Sequence, residues 1–363
     1  MAATEQGAEP SDPHIDTSLL AIPDGSYDVT AVRPIDGLSF FTTDDPAMPS
    51  YRVIANNRQP VALRDLMIAP VRSGYIGDSH ARPDPALTPR SGAEAVPGVR
   101  STVVYLPVRD GVARARVYRP VGLEGPHPVV LYVHGGGFTV GSCDDTDYIT
   151  RRIARDAQVI VVSTDYRLAP EHPFPTPLDD VADVYEWLCT SAGALGGRTD
   201  VGVVAAGDSA GSNFAAALPL VAARRGLRAP RAVVMLGAFV DFAQERWDSF
   251  QRLAPRGIVY DSAFFGFIRS AYLPTTAWDD PLASPLEADL TGYPPTFLTA
   301  GTHDPIVDSA KAFAERLASA GVEVEGYWPE GMPHGYYFFP DVQSPEGDIV
   351  FDLLRDFLAR PGR

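Results

Sequence analysis

Lysine is almost missing from this chain: of its 30 basic residues, Lys311 is the only lysine and the rest are arginine. A buried Schiff-base lysine or a phosphate loop ending in Gly-Lys-Ser is thereby all but excluded by inventory. Cysteine is nearly as scarce. Cys143 and Cys189 lie far apart, and there is neither a Cys-x-x-Cys nor a His-Glu-x-x-His pattern to hold a metal. Both read as ordinary small buried side chains, and neither a metal nor a cofactor is expected. Positive charge is in deficit, with 46 acidic residues giving a formal net charge of −16. Nucleic acid and anionic membrane surfaces would both repel such a chain. No apolar stretch approaches the length of a membrane-spanning helix. The segment from Met1 to Pro23 is acidic and contains proline, without the basic-then-apolar order of a signal peptide. The expectation is a cytoplasmic protein with no stable membrane insertion and no nucleic-acid partner.

What is present is a hydrophobic fraction of 45% over 363 residues, enough for one large core with an accessory region. Residues 1–96 show weak patterning and many Pro, Asp, Ser and Gly; they are expected to be an extension that contributes to a cap. At Arg100 the pattern changes. Ser101 to Val108 and Val112 to Tyr118 flank the turn Arg109-Asp110-Gly111 and predict a hairpin. Continuous apolar runs follow at Pro128 to Val133, Val159 to Ser163, Val201 to Ala206, Ala232 to Val240 and Pro295 to Gly301, as expected of strands covered on both faces. Helical patterns alternate with them at about Asp147 to Arg155, Asp179 to Cys189, Ser212 to Arg225, Asp308 to Ala320 and Asp348 to Leu358. A last strand is expected over Val322 to Tyr327. This alternation predicts an α/β fold with a mostly parallel central sheet and helices on both faces. Ligands in such folds sit at the carboxyl ends of the strands.

The alternation lapses between Asp241 and about Asp280, where Phe264, Phe265, Phe267, Ile268 and Tyr272 follow a helix cap at Asp261. An apolar helix inserted there could extend the core or roof a pocket, and the number of aromatics favours the roof. The expected organisation is thus a core over 97–240 and 281–363, with 241–280 as a cap insertion.

Two stretches at strand ends carry chemistry. Val201 to Ala206 breaks at Gly207-Asp208-Ser209-Ala210-Gly211 and continues as a helix. A sharp strand-to-helix turn needs small neighbours to let the two elements pass closely, and it presents the serine hydroxyl at its tip beside the Ala210 amide. Taken alone the pattern is also that of a plain glycine-rich turn. The second stretch, His134-Gly135-Gly136-Gly137-Phe138, sets three glycines just past a buried strand. A flexible turn or a phosphate loop would use the same residues, but no helix starts on these glycines and no cation accompanies them. In an acyl-transfer enzyme the bare amides would stabilise an oxyanion.

A serine nucleophile needs a base, and the base needs an orienting acid. Only His303 and His334 follow Ser209. His334 lies in a Gly- and Pro-rich loop suited to a base, whereas His303 sits directly before Asp304 at a strand end. Asp304 is the candidate acid, one helix before His334. Asp308 is its rival but reads as a helix cap.

The motifs His134-Gly135-Gly136-Gly137, Asp165-Tyr166-Arg167-Leu168-Ala169-Pro170-Glu171, Gly207-Asp208-Ser209-Ala210-Gly211, Asp304-Pro305 and His334-Gly335 resemble, in order and spacing, the hormone-sensitive-lipase-like family of α/β-hydrolase esterases. The resemblance covers about Val96 to Arg363. It implies an α/β-hydrolase fold with a cap, a serine carboxylesterase acting on small-molecule esters, and Ser209 as nucleophile with His334 as base and Asp304 as its partner. It further implies the backbone amides of Gly135, Gly136 and Ala210 as oxyanion donors, and allows two subunits to pair through a sheet edge. The same residues could serve acyl transfer, elimination or cyclisation on a specialised substrate. A ligand-binding module that had lost catalysis would be expected to have replaced Ser209 or His334, and both are present.

Overall fold

The computed structural model describes residues 39–40, 54–55, 92–256, 261–338 and 345–360, all within the unit Ile35–Arg363. Most of the N-terminal extension read as part of a cap therefore lies outside the described residues. Two short strands, β1 (Ser39–Phe40) and β2 (Ile54–Ala55), pair antiparallel with each other.

After the short helix α1 (Gly92–Ala95), the chain enters an eight-stranded sheet with β3 (Val99–Val108) and β4 (Gly111–Pro120), which form the expected antiparallel hairpin. Next come β5 (Val129–Val133), helix α2 (Asp147–Ala157), β6 (Ile160–Thr164), α3 (Thr176–Ser191), β7 (Val203–Asp208), α4 (Ala210–Arg225) and β8 (Val233–Leu236). Beyond these lie α5 (Asp248–Leu253), α6 (Ser262–Tyr272), β9 (Thr296–Thr299), α7 (Val307–Ser319), β10 (Val324–Tyr327) and α8 (Pro345–Leu358). The spatial order is β10-β9-β8-β7-β5-β6-β4-β3. Neighbours are parallel from β10 to β6 and antiparallel from β6 to β3. This is the mostly parallel α/β sheet that the alternating pattern predicts.

Every residue of β5, β6 and β7 is buried, because helices cover both faces. The two-residue period of a strand sorts these side chains between two cores. Val129, Leu131, Val133, Val203, Ala205, Val233 and Met235 join a larger cluster with α3, α4, α6 and α7. Val130, Tyr132, Val204, Ala206, Val234 and Leu236 face a smaller one with α2 and α8.

Strand β8 is shorter than its apolar run suggests. After Leu236, Gly237 takes φ +60° and the chain leaves the ladder. Beyond it the Ala238 amide donates to the Thr299 carbonyl and that of Phe239 to the Ser212 hydroxyl, so the run stays buried without remaining a strand. Helix α6 begins where the sequence places its cap, with the Asp261 carboxylate accepting from the Phe264 amide at 2.7 Å. It buries Phe265, Phe267, Ile268 and Tyr272, the last stacked on Phe138 with ring centroids 4.1 Å apart. Helix α5 has no counterpart in the sequence expectation. Among the described residues no helix is long and apolar enough to cross a membrane.

Candidate active site

The end of β7 is built for a tight turn. Ser209 has φ +52° and ψ −119°, a conformation that L residues with side chains rarely adopt. Its neighbours lack bulk for a reason that can be measured: a Cβ on Gly211 would strike the Val133 carbonyl oxygen, and one on Gly207 would lie 2.7 Å from the same atom. The Ser209 amide donates to the Leu236 carbonyl at 2.8 Å, tying the turn to β8. On the other side Ser212 donates to the Ser209 carbonyl at 2.5 Å and accepts from the Phe239 amide at 2.9 Å. The strained conformation is thus held by strand, helix and following loop together. Ser209 keeps 8% exposure.

On neighbouring loops the structure brings together His334 and Asp304. Their side chains are 3% and 0% exposed, and Nδ1 of His334 lies 2.6 Å from Oδ2 of Asp304. The other carboxylate oxygen of Asp304 accepts from the Ile306 amide at 3.1 Å. A carboxylate that accepts at Nδ1 fixes the tautomer with the proton there, leaving Nε2 as the basic nitrogen. The imidazole packs against Gly237, where a Cβ would come within 2.8 Å of Cε1. Gly237 directly follows the Leu236 whose carbonyl holds the Ser209 amide, so serine turn and imidazole share one support.

The loops bearing Asp304 and His334 are stitched to each other. Thr302 donates to the Pro329 carbonyl at 3.0 Å and His303 to that of Met332 at 3.0 Å, while Gly331 donates to the Thr302 hydroxyl at 2.8 Å. His303 thus contributes its backbone to this seam. Asp308, the rival acid, is occupied elsewhere: its Oδ2 accepts from the Ser249 amide at 2.7 Å and caps α5.

The glycine stretch lies across from the serine turn. Gly136 and Gly137 have φ +109° and +58°. A Cβ on Gly135 would overlap Asp208 Oδ2, and Gly137 lines the cavity over Ser209.

That cavity is walled by Gly137, Phe138, Ala210, Phe239, Phe264, Phe265, Ile268 and Ile306 around Ser209, and its volume is only about 10 Å³. It has room for one water molecule at most. Phe264, Phe265 and Ile268 come from the insertion that the sequence assigns to a roof, whereas Phe239 and Ile306 carry no motif and join them from separate parts of the chain.

Burial shapes the electrostatics of the site. Desolvation lowers the pKa of His134, whose ring stacks on Tyr166 at 4.3 Å and whose Nδ1 lies 2.7 Å from the Gly135 carbonyl. It raises that of Asp208 to about 7, although the Tyr132 hydroxyl, His334 and the Gly135 amide all favour the carboxylate. Cys143 is buried and Cys189 partly so, and both are free thiols. Among the described residues no group of three or more His, Cys, Asp or Glu side chains could hold a metal.

A family model described as the α/β hydrolase fold matches residues 130–338. The chain is 38% identical over 235 residues to the carboxylesterase NlhH of Mycobacterium tuberculosis, covering 62% of this chain and 71% of that protein. To an ethyl acetate hydrolase of Pseudomonas putida it is 36% identical over 265 residues, 70% of this chain and 81% of the relative. The solved structure of a hyperthermophilic esterase from the archaeon Pyrobaculum calidifontis superposes with a TM-score of 0.72 at 29% identity, over 82% of this chain and 96% of that one. Sheet order, the serine turn and these relatives agree, and the chain belongs to the hormone-sensitive-lipase-like carboxylic ester hydrolases of the α/β-hydrolase fold.

Proposed function

We propose that the chain hydrolyses small-molecule carboxylic esters through an acyl-enzyme on Ser209, with His334 as the base and Asp304 as its orienting acid. The observation that carries this reading is the buried 2.6 Å contact between His334 and Asp304, with the imidazole against the same Gly237 support that ties down the strained serine turn. In this reading the Ser209 oxygen attacks the ester carbonyl while Nε2 of His334 takes its proton. The Asp304 carboxylate, held against Nδ1–H, stabilises the imidazolium that forms. The amides of Gly136, Gly137 and Ala210 stabilise the oxyanion. His334 then protonates the leaving alcohol, and water, deprotonated by the same nitrogen, releases the acid.

Helix α6 acts in this reading as a roof: its Phe264, Phe265 and Ile268 close the acyl side of the site. A nearly filled apolar cavity excludes water and so also favours transfer of the acyl group to an added alcohol. The deciding experiment compares wild type with Ser209→Ala on p-nitrophenyl acetate, with products analysed in the presence of a competing alcohol. Turnover is expected to fall about 10³-fold or more in the variant. Undiminished turnover would remove Ser209 from the reaction, and ester product exceeding free acid would favour transfer.

A further inference from the structure

Among the described residues only Phe138, Gln158 and Ser209 carry a side chain at positive φ. Gln158 ends α2 in an ordinary left-handed helix cap, and Ser209 is the nucleophile proposed above. Phe138, at φ +65°, closes the glycine turn and has no such explanation. An L residue enters that region only against steric strain, so its surroundings must hold it there.

They do so through its ring, which is buried among four others. Tyr272 stacks on it at 4.1 Å with the two planes 9° apart, while Phe214 and Phe242 close in at 5.4 Å and Phe239 at 5.9 Å. Both partners of the stack hang on one loop. Within residues 165–175 the Ala169 amide donates to the Phe138 carbonyl and the Phe174 amide to the Tyr272 carbonyl, each at 2.9 Å. The Phe174 ring also meets Tyr272 edge-on at 5.7 Å. On the turn itself the Thr139 and Val140 amides both donate to the Gly136 carbonyl at 3.1 Å. A ring held on every side fixes the Cα–Cβ direction of Phe138, and with it the peptide that joins Phe138 to Gly137. Tyr272 stands behind Phe138: it is fully buried and is not part of the wall around Ser209. Its hydroxyl meets no hydrogen-bond partner among the described residues, so what it supplies is the ring.

We propose that Tyr272 is a positioning residue for the reaction: its stack on Phe138 holds the amides of Gly136 and Gly137 toward the oxyanion at Ser209, so that α6 sets the glycine turn as well as roofing the cavity. A second contact of α6 acts on the same turn. A Cβ on Gly137 would lie 2.8 Å from Cγ2 of Ile268 and 3.2 Å from the Phe264 ring, so the helix leaves that residue no room to shift outward. The proposal rests on the assignment of Ser209 and the glycine turn above. Donors aimed at a developing oxyanion act on the transition state far more than on the bound ester, so loosening them lowers kcat and spares KM.

The test compares Tyr272→Leu and Tyr272→Phe with wild type on p-nitrophenyl acetate. Active sites are counted by a phosphonate ester that labels the serine, and inhibition is measured with a trifluoromethyl ketone, whose adduct on the serine carries the same oxyanion. For Tyr272→Leu we expect kcat per active site to fall about tenfold or more with KM within about threefold, and ketone inhibition to weaken by the same factor as kcat/KM. Tyr272→Phe keeps the ring and is expected to retain about half of wild-type kcat or more. A Tyr272→Leu kcat within about twofold of wild type, a loss carried by KM alone, or an equal loss in Tyr272→Phe would each overturn the proposal. If Tyr272→Leu fails to fold, Phe138→Leu removes the other ring of the stack and is expected to show the same loss of kcat. A kcat within about twofold of wild type there overturns the proposal equally. Failure of the phosphonate to label Ser209 in wild type would instead refute the underlying assignment.

Discussion

Gly301 lies just past the end of β9, on the segment leading to Asp304, and it is the residue whose enlargement by one carbon should separate Asp304 from His334. Its φ is not in the left-handed region, so alanine meets no backbone strain there. The obstacle is Met332: the added Cβ would overlap its carbonyl oxygen and come within 2.5 Å of its carbonyl carbon. Carbon atoms pack comfortably at about 3.5 Å, so the two loops must part by about 1 Å. They cannot do so freely, because backbone hydrogen bonds of 3.0 Å from Thr302 and His303 bind one loop to the other. Asp304 lies three residues beyond Gly301 and His334 two beyond Met332, so the displacement passes into their 2.6 Å contact. A misplacement of about 1 Å in a catalytic array costs roughly 10²-fold in rate. Gly301→Ala should therefore lower kcat on p-nitrophenyl acetate about a hundredfold while thermal unfolding stays cooperative. A variant kcat within threefold of wild type would refute the reasoning, since it would mean that the seam does not set the geometry of the pair.

Other outcomes follow from the same geometry. Asp308→Ala removes the acceptor for the Ser249 amide and should cost about 1 kcal/mol of stability with little change in kcat, the opposite of Asp304→Ala; denaturant midpoints and turnover separate the two. Ile268→Ala deletes part of the cavity wall and should shift the preferred acyl chain to longer esters, read from kcat/KM over a chain-length series; an unchanged series would mean that the acyl group does not enter there. Asp208 also predicts a stability effect. A carboxyl that titrates near 7 when folded, against 3.8 ordinarily, binds its proton more tightly in the native state. Stability from that proton is complete below pH 3.8 and is lost as pH rises through 7, on the order of 4 kcal/mol. Asp208→Asn should therefore gain in melting temperature over wild type between pH 5 and pH 8, and a pH-independent difference would contradict this.

Much of this architecture can be read from the residues, and the gaps have identifiable causes. The alternating runs report strands covered on both faces because burial on both sides demands continuous apolar character. The same logic overextends β8: residues 237–240 remain buried while the amides of Ala238 and Phe239 turn to Thr299 and Ser212, and hydrophobicity records burial, not ladder membership. Helix α5 is invisible because six residues carry too little periodicity, and the carboxylate that starts it comes from Asp308, 59 positions beyond Ser249. In the site, the residue types at strand ends point to Ser209, Asp304 and His334 without coordinates. The orientation of successive glycine amides is a matter of dihedral angles, which composition does not encode. Tyr132 gives no motif at all; only the pairing of β5 with β7 puts its hydroxyl within reach of Asp208.

The sorting of side chains between the sheet's two faces has a consequence for how such a protein can change. The walls that would select an acyl group belong to the larger core, whereas Asp208 and Tyr132 stand on the other side of a single layer of backbone. Phe239 and Ile306 belong to one cluster and Tyr132 to the other, so the free energies of substitutions in the two should sum. The two faces of the sheet are in that sense separately heritable, and a lineage could remodel one without renegotiating the other.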